Sequence, residues 1–414
     1  MHTSTRFMAL LAGASFSLVA QAVTFDAWAD KVADAKLRAD PEQATQKQYF
    51  SGKEQDALDR ALTPNTQQYR KAEVAKAKAA LAQLAAIDQK PLTPQQRASA
   101  AAIAWNLQGA VDAAQFEDHQ FVFNQFTGLH VQIVNFLSQQ HPIRNKRDVE
   151  NYLARLKSVA GKIDTGIARA QDAAGRGFLM PSFITQSSIG QLDRFLDGGV
   201  EKNVLVASLA QRMADLKDVT PEQQAKFTAQ ATPTVKQSIL PAFERTRKLL
   251  KEHLPMTTAD AGLWRLPNGD KAYALALRRM TTTDYTPAQI HDIGLKEVAR
   301  IEKEMDGLLV SLGYKEGGIK QRMVKLEADS QPKEADPRPA MLARYDALMR
   351  DAEARAKELF DVTPKAPVVV KREPAFTEKT AAAHYSAPAR DGTLPGIFWA
   401  PMPGPDFRIV GMRK

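Results

Sequence analysis

Histidines are the first residues in this chain whose type and spacing could do chemistry. His119, His130 and His141 recur at intervals of eleven, which is about three helical turns. On one unbroken helix they would share a face, the arrangement from which imidazoles hold a metal. Eleven residues at 1.5 Å each, however, separate neighbours by roughly 16 Å. Zinc needs every ligand within ~2 Å of one point. The three therefore cannot form one site along one helix, and Gly128 interrupts the run. They read as separate packing or surface histidines. His291 falls in the first turn of a helix that starts at Thr286. His384 falls in the loop between two late strand-like segments.

Other chemistries have less support. There is no cysteine, so there is no disulfide, thiolate metal site, cysteine nucleophile or lipid-bearing N-terminal cysteine. No G-x-S-x-G, phosphate loop, dinucleotide fingerprint or H-E-x-x-H occurs. Glu297, Glu302 and Glu304 lie on the charged face of an amphipathic helix. The hydroxyl-rich RRMTTTDYTP, residues 278–287, is explained by capping and turn formation. What remains is the late pair of strand-like segments. Arg372, His384, Tyr385 and Trp399 cluster there as candidate substrate-side residues, with His291 as a fifth. Edge strands beside such side chains can hold an extended peptide by backbone hydrogen bonds.

The elements that must position these residues are mainly helical. Alanine, leucine, glutamine, lysine and glutamate dominate most windows, which favours helix. The pattern predicts helices over Phe25–Ala39, Gln67–Ala86, 147–173, Pro287–Leu312 and Met341–Phe360. Three helix starts share one device, at Thr93-Pro94-Gln95-Gln96, Thr220-Pro221-Glu222-Gln223 and Thr286-Pro287-Ala288-Gln289. Threonine caps, proline suits the first helical position, and the glutamine reaches back to complete a capping box. A helix over Pro233–Leu254 carries Pro241, which should kink or split it. In the helix from Pro287, an apolar stripe of Val298, Ile301, Met305, Leu308 and Leu312 is spaced for burial. Strands are expected at about 366–376 and 395–401. The fold class is thus mainly α, a multi-helix array with a small late β element.

The 414 residues are 44% hydrophobic and 25% charged, an ordinary globular composition. The formal net charge is +9, but the lysines are scattered along helices with no basic cluster interleaved with aromatics. Nucleic-acid binding is not expected. MHTSTRFMALLAGASFSLVAQAVTF reads as a secretory signal, with Arg6 ahead of an apolar run from Met8 to Ala20. Cleavage is expected after Ala22. That leaves residues 23–414 as a single helical domain in the periplasm or outside the cell, with no later membrane span.

Residues 262–305, GLWRLPNGDKAYALALRRMTTTDYTPAQIHDIGLKEVARIEKEM, resemble the bacterial domain-of-unknown-function 885 family. QHPIRNKRDVENYLARL, GFLMPSFI, PVVVKREPAF, AAAHYSAPARDGTLPGIFW and MPGPDFRIVGMRK extend the resemblance over most of the chain. It implies a secreted helical protein of the zinc-dependent peptidase type. The family's metal motif, approximately His-Glu-Ala-x-Pro-Gly-His-His, has no counterpart here, so no metal ligand carries over. Zinc is expected for full-length members and no cofactor for these residues. On this reading the chain is a truncated or split member, incomplete at its C-terminus and inactive alone. Its expected partners are peptides, or a chain supplying the missing segment. The alternative is a non-catalytic helical envelope protein that binds peptides or a protein partner.

Overall fold

The computed structural model describes residues 24–330, 335–373, 378, 381–390, 392–402 and 404. The expected signal segment 1–22, and most of the closing MPGPDFRIVGMRK, lie outside the described residues.

A 30-residue helix organises the body. With the elements numbered in chain order, α1 (Phe25–Ala39), α2 (Pro41–Lys47), α3 (Gly52–Asp59), α4 (Gln67–Ala85), α5 (Pro94–Ala113) and α6 (Leu129–Asn135) precede it. It is α7 (Lys146–Gly175), started by Asn145, whose side chain accepts from the Asp148 N–H. Val149, Tyr152, Leu153, Leu156, Val159 and Ile163 recur along it at three- and four-residue steps. This stripe is buried against α6, α8 (Ser182–Leu196), α9 (Val204–Met213), α10 (Pro221–Thr234) and α11 (Leu240–His253). The Tyr152 hydroxyl, fully enclosed, donates to the Leu205 carbonyl at 2.7 Å. A second cluster joins Phe25 and Trp28 of α1 to Ala80 and Leu84 of α4 and Ala100 of α5.

All three threonine–proline starts form capping boxes, at α5, α10 and α13 (Pro287–Ser311). The helix expected around Pro241 does not break. A single π turn, Val235–Ile239, joins α10 to α11, and Pro241 sits in the first turn of α11. The wide turn relieves the clash a proline ring makes with the carbonyl four residues back.

After α12 (Gly269–Thr281), helix α13 forms as expected, but its apolar stripe is not buried. Val298, Ile301, Leu308 and Leu312 are exposed, and Leu309 is the buried residue of this helix. Helical periodicity identifies an apolar face but not its cover. Among the described residues α13 packs chiefly on α14 (Ile319–Asp329), which leaves the stripe open.

The late β element has three strands where two were expected. β1 (Val368–Arg372) is shorter than the predicted 366–376. β2 (His384–Ser386) was not predicted. β3 (Gly396–Ala400) matches the second segment. Their order is β1-β3-β2, with β1 parallel and β2 antiparallel to β3. One face packs on α15 (Arg338–Leu359) through Met341, Tyr345, Phe398 and Ala400.

Candidate functional site

The sheet and the helical body enclose a cleft of about 320 Å³. That is within the size range of small-ligand sites. His384, Ser386 and Trp399 form its sheet wall, with Glu373, Ala381 and Ala382 beside them. Antiparallel pairing sets His384 opposite Trp399 and Tyr385 opposite Phe398. Paired residues share a face and successive ones alternate. His384 and Trp399 therefore fall together on the cleft face, and Tyr385 on the other. Their rings stack at 6.3 Å and 23°. Trp399 Nε1–H donates to Ser386 Oγ at 2.9 Å, so a hydroxyl from the paired strand fixes the indole.

His384 Nδ1 lies 3.0 Å from the Ala382 carbonyl. A carbonyl can only accept, so Nδ1 carries a proton. Glu373 Oε2 is 3.8 Å from Nδ1, beyond hydrogen-bond range.

The helical wall is made of amides and aromatics. Gln125 and Phe126 come from the loop before α6, and Asn135, Gln139 and Gln140 from the end of α6 and the turn after it. In the loop, Asn124 Oδ1 accepts from the N–H groups of Phe126 at 3.0 Å and Thr127 at 2.7 Å. Gly128 closes it so tightly that a Cβ there would sit 2.1 Å from the Asn124 carbonyl. Beyond α6 the chain makes a π turn, Phe136–Gln140, closed by the His141 N–H on the Phe136 carbonyl at 2.8 Å. Ser138 Oγ bonds back to the Val134 carbonyl at 2.7 Å, a contact that bends helices. Arg212 of α9 donates to the Leu137, Ser138 and His141 carbonyls, which lack helical partners. Such π turns are frequent at functional sites.

Two buried histidines support this wall. His130 Nε2 meets Gln191 Oε1 at 3.0 Å, and Gln191 Nε2 donates to the Gln125 carbonyl at 2.8 Å. The amide orientation requires the proton on His130 Nε2. Burial pushes His130 down to about 4. His141 accepts from Arg155 at Nδ1, 2.6 Å away, and its Nε2–H donates to the Asp148 carbonyl at 3.0 Å. Burial, then the neighbouring Arg155 charge, holds His141 well below the usual imidazole range. Both rings are neutral at pH 7. The equal spacing of His119, His130 and His141 does not place them on one helix, since α6 begins only at Leu129.

The structure brings together His384 and Trp399 and disperses the other candidates. His384 opens β2 and is not in a loop. Tyr385 lies on the far face of that strand. His291 is exposed near the start of α13, a helix that packs on α14. Arg372 is occupied, because its guanidinium grips Glu378 at 2.6 and 2.7 Å and reaches the Met402 carbonyl at 3.2 Å. Glu378 also accepts from the Met402 N–H at 2.9 Å. Arg372→Ala should destabilise the sheet by about 1–3 kcal/mol and leave ligand affinity in the cleft nearly unchanged. The Arg372 hydrogen bonds hold the Glu378 carboxyl below its ordinary value. Its contribution is therefore present above the ordinary carboxylate range and lost as pH falls through the lowered value. Thermal melts of the variant from pH 7 to pH 3 check both points, since the wild-type advantage should shrink at the acid end.

Sequence reasoning missed Gln125, Phe126, Asn135, Gln139, Gln140, Gln191 and Glu373. One signal was present: QFVFNQFTGLHVQIVNFLSQQH, residues 120–141, is dense in amides and has only histidines as titratable groups.

A family model of bacterial proteins of unknown function, DUF885, matches residues 41–410. The fold is similar to the crystal structure of a "putative lipoprotein" from Colwellia psychrerythraea, with TM-score 0.83 and 23% identity. That match covers 92% of this chain and 68% of the other. A "putative lipoprotein of unknown function" from Shewanella oneidensis matches with TM-score 0.57 and 16% identity, over 92% of this chain and 65% of that one. No curated protein matches.

Proposed function

The chain belongs to the DUF885 family of bacterial proteins, and on that premise we propose that its cleft binds an extended peptide outside the cytoplasm. The observation that carries this reading is the pairing of an edge strand with an amide-lined wall. Among the described residues β2 pairs only with β3, so its outer edge has backbone groups to offer. A peptide backbone repeats the same donor and acceptor pair, and Gln125, Asn135 and Gln139 can answer both. Trp399 and Phe126 add aromatic surface for side chains. The signal-like N-terminus supports an extracytoplasmic site, as do the lipoprotein descriptions of the structural relatives. No described helix is long and apolar enough to cross a membrane.

The resemblance also implies a zinc peptidase. The described residues do not fit the metal: no group of three histidine, cysteine, aspartate or glutamate side chains lies together among them. Catalytic zinc takes three protein ligands, and among the described residues lining the cleft only His384 and Glu373 are of a ligand type. No zinc step is derived for these residues, and the reading is one of binding.

Titration calorimetry with a mixture of short unstructured peptides tests it. Saturable binding is expected, weakened at least ~10-fold by Trp399→Ala. Absence of saturable binding, or full retention of it in Trp399→Ala, would contradict the proposal.

A further inference from the structure

Helix α13 carries more apolar surface than its own packing uses. It runs for 25 residues, yet Leu309 is its buried residue, and every position from His291 to Glu304 is exposed. Val298, Ile301, Leu308 and Leu312 are 55%, 44%, 63% and 58% exposed, with Met305 part-buried among them. Helices in proteins hold their form chiefly by packing such a face. A contiguous apolar patch left open marks an interaction surface.

The spacing gives the shape of the cover. From Val298 the apolar steps are three, four, three and four, ending at Leu312. That is the a/d pattern of period 3.5, the seam into which a second helix packs. It continues for two heptads, roughly 21 Å. The charges give the character of its edges. With Val298, Met305 and Leu312 at a, and Ile301 and Leu308 at d, the charged residues at the flanking e and g positions are Glu297, Glu302 and Glu304. Lysine and arginine do not occur at those positions, and Lys296 and Lys303 both fall at f, on the far side of the helix. Arg300 pairs with Glu297 and with Glu304, each at 2.7 Å, so one guanidinium serves two carboxylates and the edges stay acidic.

We propose that α13 is the docking site for an amphipathic helix of a different polypeptide, apolar at its own a and d positions and bearing lysine or arginine at e and g. Opposite charges at e and g set partner choice in such pairs. A second copy of this chain is a poor occupant. Parallel self-pairing sets Glu297 against Glu302 across the seam, and antiparallel self-pairing again opposes carboxylates. A membrane surface fits no better, because interfacial helices border their apolar face with lysine and arginine. The surface is separate from the cleft and does not depend on the peptide reading.

Three four-heptad peptides separate the outcomes. All carry leucine and isoleucine as their apolar residues. The first has them at a and d with lysine at e and g. The second has glutamate at e and g instead, and the third has the first one's composition in scrambled order. Fluorescence anisotropy on the whole protein should give at least ~10-fold tighter binding for the first than for the other two, with the gain shrinking as salt is added. Ile301→Asp combined with Leu308→Asp should abolish the difference. Both side chains are exposed, so the fold loses no packing. Failure of the first peptide to bind, equal binding of the first and second, or a preference kept in the double variant would each overturn the inference. Two further results would overturn it by assigning the face elsewhere: a dimer of the protein alone in sedimentation, or binding to phosphatidylcholine or phosphatidylglycerol vesicles, either one lost in the double variant.

Discussion

Arg155→Met should lower the unfolding free energy by about 3–5 kcal/mol, the largest loss expected from any single substitution here. Arg155 lies in the middle of α7 and is fully enclosed. Its Nε donates to the Ala61 carbonyl at 2.8 Å. Its Nη2 donates to the Leu58 carbonyl at 2.8 Å and the Thr45 hydroxyl at 2.5 Å, and its Nη1 to His141 Nδ1 at 2.6 Å. Thr45 in turn bonds Asp59 at 2.6 Å, which brings a carboxylate within reach of the buried charge. Burial pushes the guanidinium down to about 10, so it is still charged at neutral pH. Methionine keeps the aliphatic stem of the side chain but not its guanidinium, and strands at once the four acceptors just named. Unpaired buried acceptors cost the full desolvation of each group, whereas replacing both partners by apolar groups can be neutral. Only one side of the network changes here, so the costly case applies. Whole proteins have only ~5–15 kcal/mol to lose. Urea denaturation checks the value, and a shift of less than about 1 kcal/mol would show that the network is not the joint between α7, the α2–α3 pair and the π turn. Because His141 closes that π turn, the variant should also weaken ligand binding in the cleft.

Acidification should destabilise the protein well before its carboxylates titrate. His130 and His141 are both neutral and buried, with folded-state values far below the ordinary 6.5. A histidine depressed in this way favours the folded state above the unfolded value. That advantage is lost as pH falls from about 6.5 toward the folded value, since only the unfolded chain takes up the proton. Two such groups give a slope near 2.7 kcal/mol per pH unit at full effect. The loss between pH 7 and pH 5 should be about 4 kcal/mol. Denaturant midpoints across that range measure it directly. A flat profile would mean that the two rings reach water or a proton acceptor in the folded state.

How much of this was legible beforehand depends on the range of the signal. The capping boxes at Thr93, Thr220 and Thr286 are written within four residues each, and all three form. The apolar stripe of α7 is a local period, and it is buried. The α13 stripe has the same period and is not covered, because a cover is a property of the tertiary fold. The late strands were visible as short runs bounded by proline, but the three-residue β2 was too short to show a period. That omission put His384 in a loop and hid the alternation that separates Tyr385 from Trp399. Arg372 read as a candidate substrate-side residue because nothing local marks Glu378 as its partner. The amide wall was missed since glutamine and asparagine carry no catalytic signature. It becomes a wall only when a π turn near residue 140 meets a strand near residue 399.

The central claim is that a peptide lies between the sheet and the turn after α6. Photo-crosslinking tests it most directly, using a bound peptide that carries a benzophenone at its middle residue, with mass spectrometry of the adducts. The account predicts adducts on fragments containing residues 124–140 and 381–399, competed away by unlabelled peptide. Competed adducts confined to other surfaces, such as the cleft lined by Arg70, Arg169 and Arg176 or the open face of α13, would contradict it.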